Sequence, residues 1–69
     1  MDRNELGIAM GRMANALERQ GWRHETVALV LDGICELGTL SGMETALRAL
    51  AQREGLMHVV ESVQVEQAA

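Results

Sequence analysis

Apolar residues return at helical intervals through most of this chain, and glycines interrupt them at Gly21, Gly38 and Gly55. Leu6, Met10, Met13 and Leu17 recur at spacings of four, three and four, which lays one stripe along a first helix. Asp2 and Glu5 precede that stripe three residues apart, as the two members of a capping box do. Beside it runs a row of small residues, Gly7, Gly11 and Ala14, that suits close approach of another helix. An interior glycine costs a helix about 1 kcal/mol, so the row needs a packing partner to offset it.

The second segment starts near Trp22–His24 and runs to Leu37, ahead of Gly38. With Arg23 as N-cap, Trp22 and Val27 take the two positions of a hydrophobic staple. Val27, Val30, Leu31, Ile34 and Leu37 mark one face, but Ala28 and Leu29 fall elsewhere on the circle. A helix apolar around so much of its girth is expected to lie at the centre of an assembly. Ser41 and Glu44 predict a capping box for a third helix. There Met43, Ala46, Leu47 and Leu50 point inward, and Arg48, Gln52 and Arg53 outward. The glycines predict the three helix stops.

The tail from Leu56 supports more than one structure. Met57, Val59, Val63 and Val65 alternate as in a strand, interrupted by Glu61, and valine favours strands. Leu56, Val60, Val63 and Gln67 fit a fourth helix with weaker periodicity. A strand would need a partner from a second copy, because no other strand is predicted in the chain. A fourth helix, a strand paired across a dimer and a frayed end all remain open, with residues 67–69 expected to be disordered.

These elements predict an all-α fold: a small bundle of three to four short helices, a single domain over residues 1–66, and a homodimer. Sixty-nine residues make a marginal core, and domains of this size usually depend on a disulfide, a metal or a partner subunit. The single Cys35 excludes an intrachain disulfide, while 48% of the residues are hydrophobic. Self-association answers both facts. The expected dimer interface takes Leu6, Gly7, Met10 and Gly11 from the first helix, and Val27, Leu31 and Ile34 from the second.

Charge narrows the function. The net charge is −4, and all six basic residues are arginines. Between His24 and Leu47 the charged residues are Glu25, Asp32, Glu36 and Glu44, with no cation among them. Such a balance argues against general attraction to nucleic acid or anionic lipid. The longest apolar run, Val27 to Leu31, is too short to span a bilayer, and a lone thiol without a signal-peptide pattern fits the cytoplasm.

Catalytic chemistry finds no footing. Cys35 is the only thiol, and His24 lies 11 residues upstream, roughly 16 Å away along one helix. Cys35 is therefore expected to be a buried structural thiol. No metal-ligand spacing joins Cys35, His24 and His58, so no metal, no cofactor and no catalytic residue is assigned, and the chain is not expected to be an enzyme. Met10, Met13, Met43 and Met57 are expected to fill the core. Trp22 suits either a staple or an exposed anchor for a partner.

Leu47 to Leu56 resembles the first helix and turn of a helix-turn-helix unit, with Ala51, Gly55 and Leu56 at the spacing of its tight helix contact. That resemblance implies a small DNA-binding regulator built on residues 43–54 and 56–66. The second half departs from the pattern, because Glu61 and Gln64 stand where apolar residues should turn inward. In size, acidity and helicity the chain also resembles small inhibitors encoded by bacteriophages and bacterial anti-activators of transcription. The leading expectation is a non-catalytic protein-binding module. Trp22, Arg23, Glu25, Asp32 and Glu36 would block the basic surface of a DNA-binding regulator or nucleic-acid-handling enzyme.

Overall fold

In the computed structural model the backbone is described for residues 1–68 and the side chains for residues 1–66. The chain forms four helices: α1 (Arg3–Arg19), α2 (His24–Cys35), α3 (Leu40–Glu54) and α4 (Met57–Ala68). No strand occurs among the described residues. The tail expected to be disordered, 67–69, ends on a residue outside the described range.

Helix starts follow local hydrogen bonding. Asp2 and Glu5 form the expected capping box: Asp2 Oδ1 accepts from the Glu5 N–H at 2.7 Å, and Glu5 Oε1 accepts from the Asp2 N–H at 2.9 Å. The expected box at Ser41 and Glu44 is corrected. Thr39 caps α3 instead, its Oγ1 accepting from the Gly42 N–H at 3.1 Å, so Ser41 already lies inside the helix. Starting α3 earlier places Leu40 against the core, and it frees Glu44 for other partners. Its carboxylate accepts from the Met1 ammonium at 2.9 Å and from Arg48 Nε at 2.9 Å.

The helix stops fall where the glycines predict. Gly21, Gly38 and Gly55 all have positive φ. After α1, the Trp22 N–H reaches the Leu17 carbonyl and the Gly21 N–H reaches that of Glu18, and after α3 the Leu56 N–H reaches the Ala51 carbonyl. Both ends have the Schellman pattern, which needs a left-handed residue that glycine adopts without strain.

Twelve buried apolar residues form one core, with Met13, Leu17, Leu47, Val60 and Val63 fully enclosed. The Cα radius of gyration is 11.2 Å, against about 11 Å expected for a folded chain of this length. α1 is the central element and touches the other three helices, whereas α2 touches only α1 and α3. Within the single chain α2 buries only Val27 and Ile34.

Within the chain, the packed face of α1 carries alanines. Ala9 and Ala16 are buried beside Leu6, Met13 and Leu17, while Gly7 and Gly11 are exposed. A Cβ added at Gly7 or Gly11 meets nothing within 4 Å. Alanine lets helices approach closely without the glycine penalty, which explains why that face packs.

The ambiguous tail is helical. Leu56, Val60 and Val63, at i, i+4 and i+7, are buried together, whereas Val65, a member of the strand-like alternation, is exposed. Burial against α1 and α3 outweighs the strand preference of four valines, because strand propensity is largely a matter of what the side chain packs against. Arg48 Nη2 donates to Gln64 Oε1 at 2.8 Å, and Arg12 Nη2 to Glu66 Oε2 at 2.7 Å, tying α4 to α3 and α1.

A candidate partner-binding surface on α2

α2 begins at Arg23, whose backbone is extended and whose side chain makes no capping bond. Trp22 is half-buried and packs against the core cluster, of which Val27 is one member. Burial therefore accounts for much of Trp22, leaving Arg23 as the exposed member of that pair. His24 Nδ1 donates to Glu18 Oε2 at 3.1 Å, and this bond, followed by the charge of Glu18, raises the histidine above its ordinary pKa.

Along α2, Glu25, Leu29, Asp32 and Glu36 recur at spacings of four, three and four and fall in one row on the solvent side. All four are exposed, and Leu29 is 73% accessible. Next to that row, Thr26, Leu29, Gly33 and Leu37 make a second, exposed stripe, with the half-buried Val30 between it and the Val27 face. Leu37 is 53% accessible, and its N–H bonds to the Ile34 carbonyl at 3.1 Å, carrying the helical turn one residue past Glu36. One stripe of α2 thus packs inward. The other ends in solvent.

Glu25 stands in the first turn, where the helix dipole favours it, but the rest of the acidic row is poorly placed for the stability of its own helix. Asp32 and Glu36 are like charges one turn apart, a pair that destabilises a helix by roughly 0.2–0.5 kcal/mol. Both lie toward the negative C-terminal end of α2, whose last turn holds no basic residue. Among the described residues, no ion pair includes Glu25, Asp32 or Glu36.

The expected dimer residues divide between core and surface. Leu6, Val27 and Ile34 are buried in the protomer's own core and present almost no surface. Met10 and Leu31 are half-buried, and only Gly7 and Gly11 are fully on the outside. Gly7 lines an open depression of about 650 Å³ together with Arg3, Asn4 and Ile8.

Cys35 is exposed, which corrects the expected buried thiol. It occupies the last turn of α2, where the inward stripe has already turned away, so the spacing from Ile34 puts it outside. His58 lies on α4 and lines a shallow depression with Arg12, Asn15, Arg19 and Ser62. Among the described residues no group of three or more His, Cys, Asp or Glu is arranged to hold a metal ion, and no helix is long and apolar enough to cross a membrane.

From sequence, Leu37 was expected on the face of Val27 and Ile34 and Leu29 off it; Leu29 is exposed as expected, but Leu37 is corrected, because α2 ends at Cys35 and the turn beyond it carries Leu37 into solvent. The signal was present as the apolar girth of α2, but girth alone does not separate a helix buried on all sides from one that is exposed on one. No family model matches the chain, and comparison with curated proteins and with solved structures found no match.

Proposed function

We propose that this chain is a non-catalytic protein-binding module whose α2 docks on, and blocks, a basic surface of a partner protein. A DNA-binding regulator or a nucleic-acid-handling enzyme is the kind of partner that carries such a surface. The observation behind this reading is the acidic row: three exposed carboxylates share one face, two of them, Asp32 and Glu36, stand where helix electrostatics disfavour them, and no ion pair among the described residues includes any of the three. Complementary charge in a partner would remove that penalty, speed encounter and set orientation. α4 supports DNA contact poorly, since its exposed positions include Glu61 and Glu66 and it holds no Arg or Lys.

The reading includes a homodimer through α1, with Gly7 and Gly11 facing the second copy and Met10 beside them. α2's outer face is then left to the partner, and the protein works in the cytoplasm without a cofactor.

The test is a nuclease-treated pull-down from source cells with the wild-type chain and with a Glu25→Arg, Asp32→Arg, Glu36→Arg variant. A basic protein captured in fixed ratio by the wild type and lost by the folded variant is the expected result. Capture unchanged by charge reversal would sink the electrostatic reading.

A further inference from the structure

We propose that the outer face of α2 seats one amphipathic basic helix of the partner. The partner helix would place aliphatic side chains on the Leu29–Val30–Leu37 stripe and arginine or lysine along the acidic row. The inference rests on the reading of α2 as the binding face and specifies the form of what binds there.

Three observations on α2 carry it. Thr26, Leu29, Gly33 and Leu37 are exposed, and with the half-buried Val30 they have the i, i+3, i+4, i+7 spacing by which helices pair. Gly33 lies in the middle of the stripe with open space around it, so a partner helix can approach the α2 backbone there. Glu25, Asp32 and Glu36 line one edge, beside Leu29, so apolar and anionic contacts lie on adjacent rows. The twelve residues of α2 extend about 18 Å, enough for a partner helix of roughly three turns.

Charge also selects against a second copy at this face. Antiparallel pairing of two α2 helices would set Glu25, Asp32 and Glu36 against their own images, and each chain already has a net charge of −4. A basic helix meets the same row with opposite sign.

The experiment uses the full chain and three labelled synthetic peptides of about 14 residues, some 21 Å as helices. One carries leucines at helical spacing with arginines along the flanking edge. A second has the same composition scrambled so that no stripe forms. In the third, glutamate replaces each arginine. Anisotropy at physiological salt is expected to show binding of the first peptide only. Leu29→Asp and Leu37→Asp should each weaken it roughly tenfold or more, which corresponds to about 1.4 kcal/mol, with unchanged circular dichroism.

Equal binding of the scrambled peptide would overturn the helix inference while leaving the basic-surface reading intact. Failure of the first peptide, alongside charge-dependent capture of a basic protein in the pull-down, would do the same. Failure of both experiments would overturn both readings. Sedimentation showing that Leu29→Asp turns a dimer into a monomer would assign the face to a second copy and end the proposal.

Discussion

α2 and α4 are the same length, twelve residues each, yet the fold uses them differently. α4 is valine-rich with weak periodicity, and it packs on α1 and α3 with Val60 and Val63 fully enclosed. α2 is the more evidently apolar segment, yet it buries two residues and turns Leu29 and Leu37 to solvent. Total hydrophobicity did not decide which helix became central. Both helices pack on the same two neighbours, α1 and α3, so the decision lay in whether each apolar residue falls on the one face those two can cover. α4 needs a single stripe and has it. α2 carries two, and a four-helix chain satisfies only one.

The comparison breaks first on core truncations. Leu17→Ala or Leu47→Ala, both at fully enclosed sites, is expected to cost about 2–5 kcal/mol. That is a large share of the roughly 3–10 kcal/mol available to a chain of this size. Leu29→Ala should change stability by less than about 0.5 kcal/mol. Urea denaturation measures both, and a Leu29→Ala penalty comparable to that of Leu17→Ala would show that α2 is covered after all.

Caps give the next effect. Thr39→Ala should cost about 1 kcal/mol. Gly42→Ala is expected to be near neutral: a Cβ there would come within 2.7 Å of Thr39 Oγ1 and disrupt the cap, offsetting about 1 kcal/mol of helix propensity. A clear gain from Gly42→Ala would mean that the cap contributes little.

Charge placement sharpens the contrast directly. Glu36→Lys converts a like-charge pair with Asp32 into an opposite pair and sets a cation at the C-terminal end of α2. It should stabilise the isolated chain by about 0.3–1 kcal/mol while weakening partner binding. A variant both more stable and less able to bind is the signature of a row kept for a partner. Loss of stability in Glu36→Lys would remove that argument. Gly7→Ala and Gly11→Ala separate monomer from dimer in the same way. Each should raise the stability of an isolated chain by about 0.5–1 kcal/mol, but loosen any dimer built on that face, as sedimentation would show.

The smallest effects follow pH. The Met1 ammonium first, then Arg48, holds the Glu44 carboxyl below its ordinary value. Stability from this group is present above the ordinary glutamate pKa of about 4.3 and is lost as pH falls through the depressed value. The Met1 amine is raised, mainly by its hydrogen bond to Glu44. Its contribution is present below about 8 and fades as pH climbs through the raised value. Melting temperatures of wild type and Glu44→Gln at pH 3, 6 and 9.5 should differ most at pH 6, draw together toward pH 3 and keep part of their difference at pH 9.5, where Arg48 still donates to Glu44. A difference that persists at pH 3 would assign the effect to shape and not charge.

Much of the architecture was legible in the sequence. The α1 box at Asp2 and Glu5, the stripe through Leu6, Met13 and Leu17, and the three positive-φ glycines are local. A hydrogen bond or backbone angle within a few residues dictates each of them. The α3 start was misread because Thr39 and Ser41 both offer a hydroxyl, and only the core position of Leu40 selects between them. Tertiary packing decided the remainder. It made a helix of the valine-rich tail by giving Leu56, Val60 and Val63 one place to bury, and it set Ala9 and Ala16 at the packed face of α1 within the chain, with Gly7 and Gly11 outside it. It also left one of two apolar stripes on α2 in solvent. Periodicity identifies the faces of a helix, but which face is covered depends on where its neighbours lie: α1 and α3 flank both α2 and α4, and they cover one face of each.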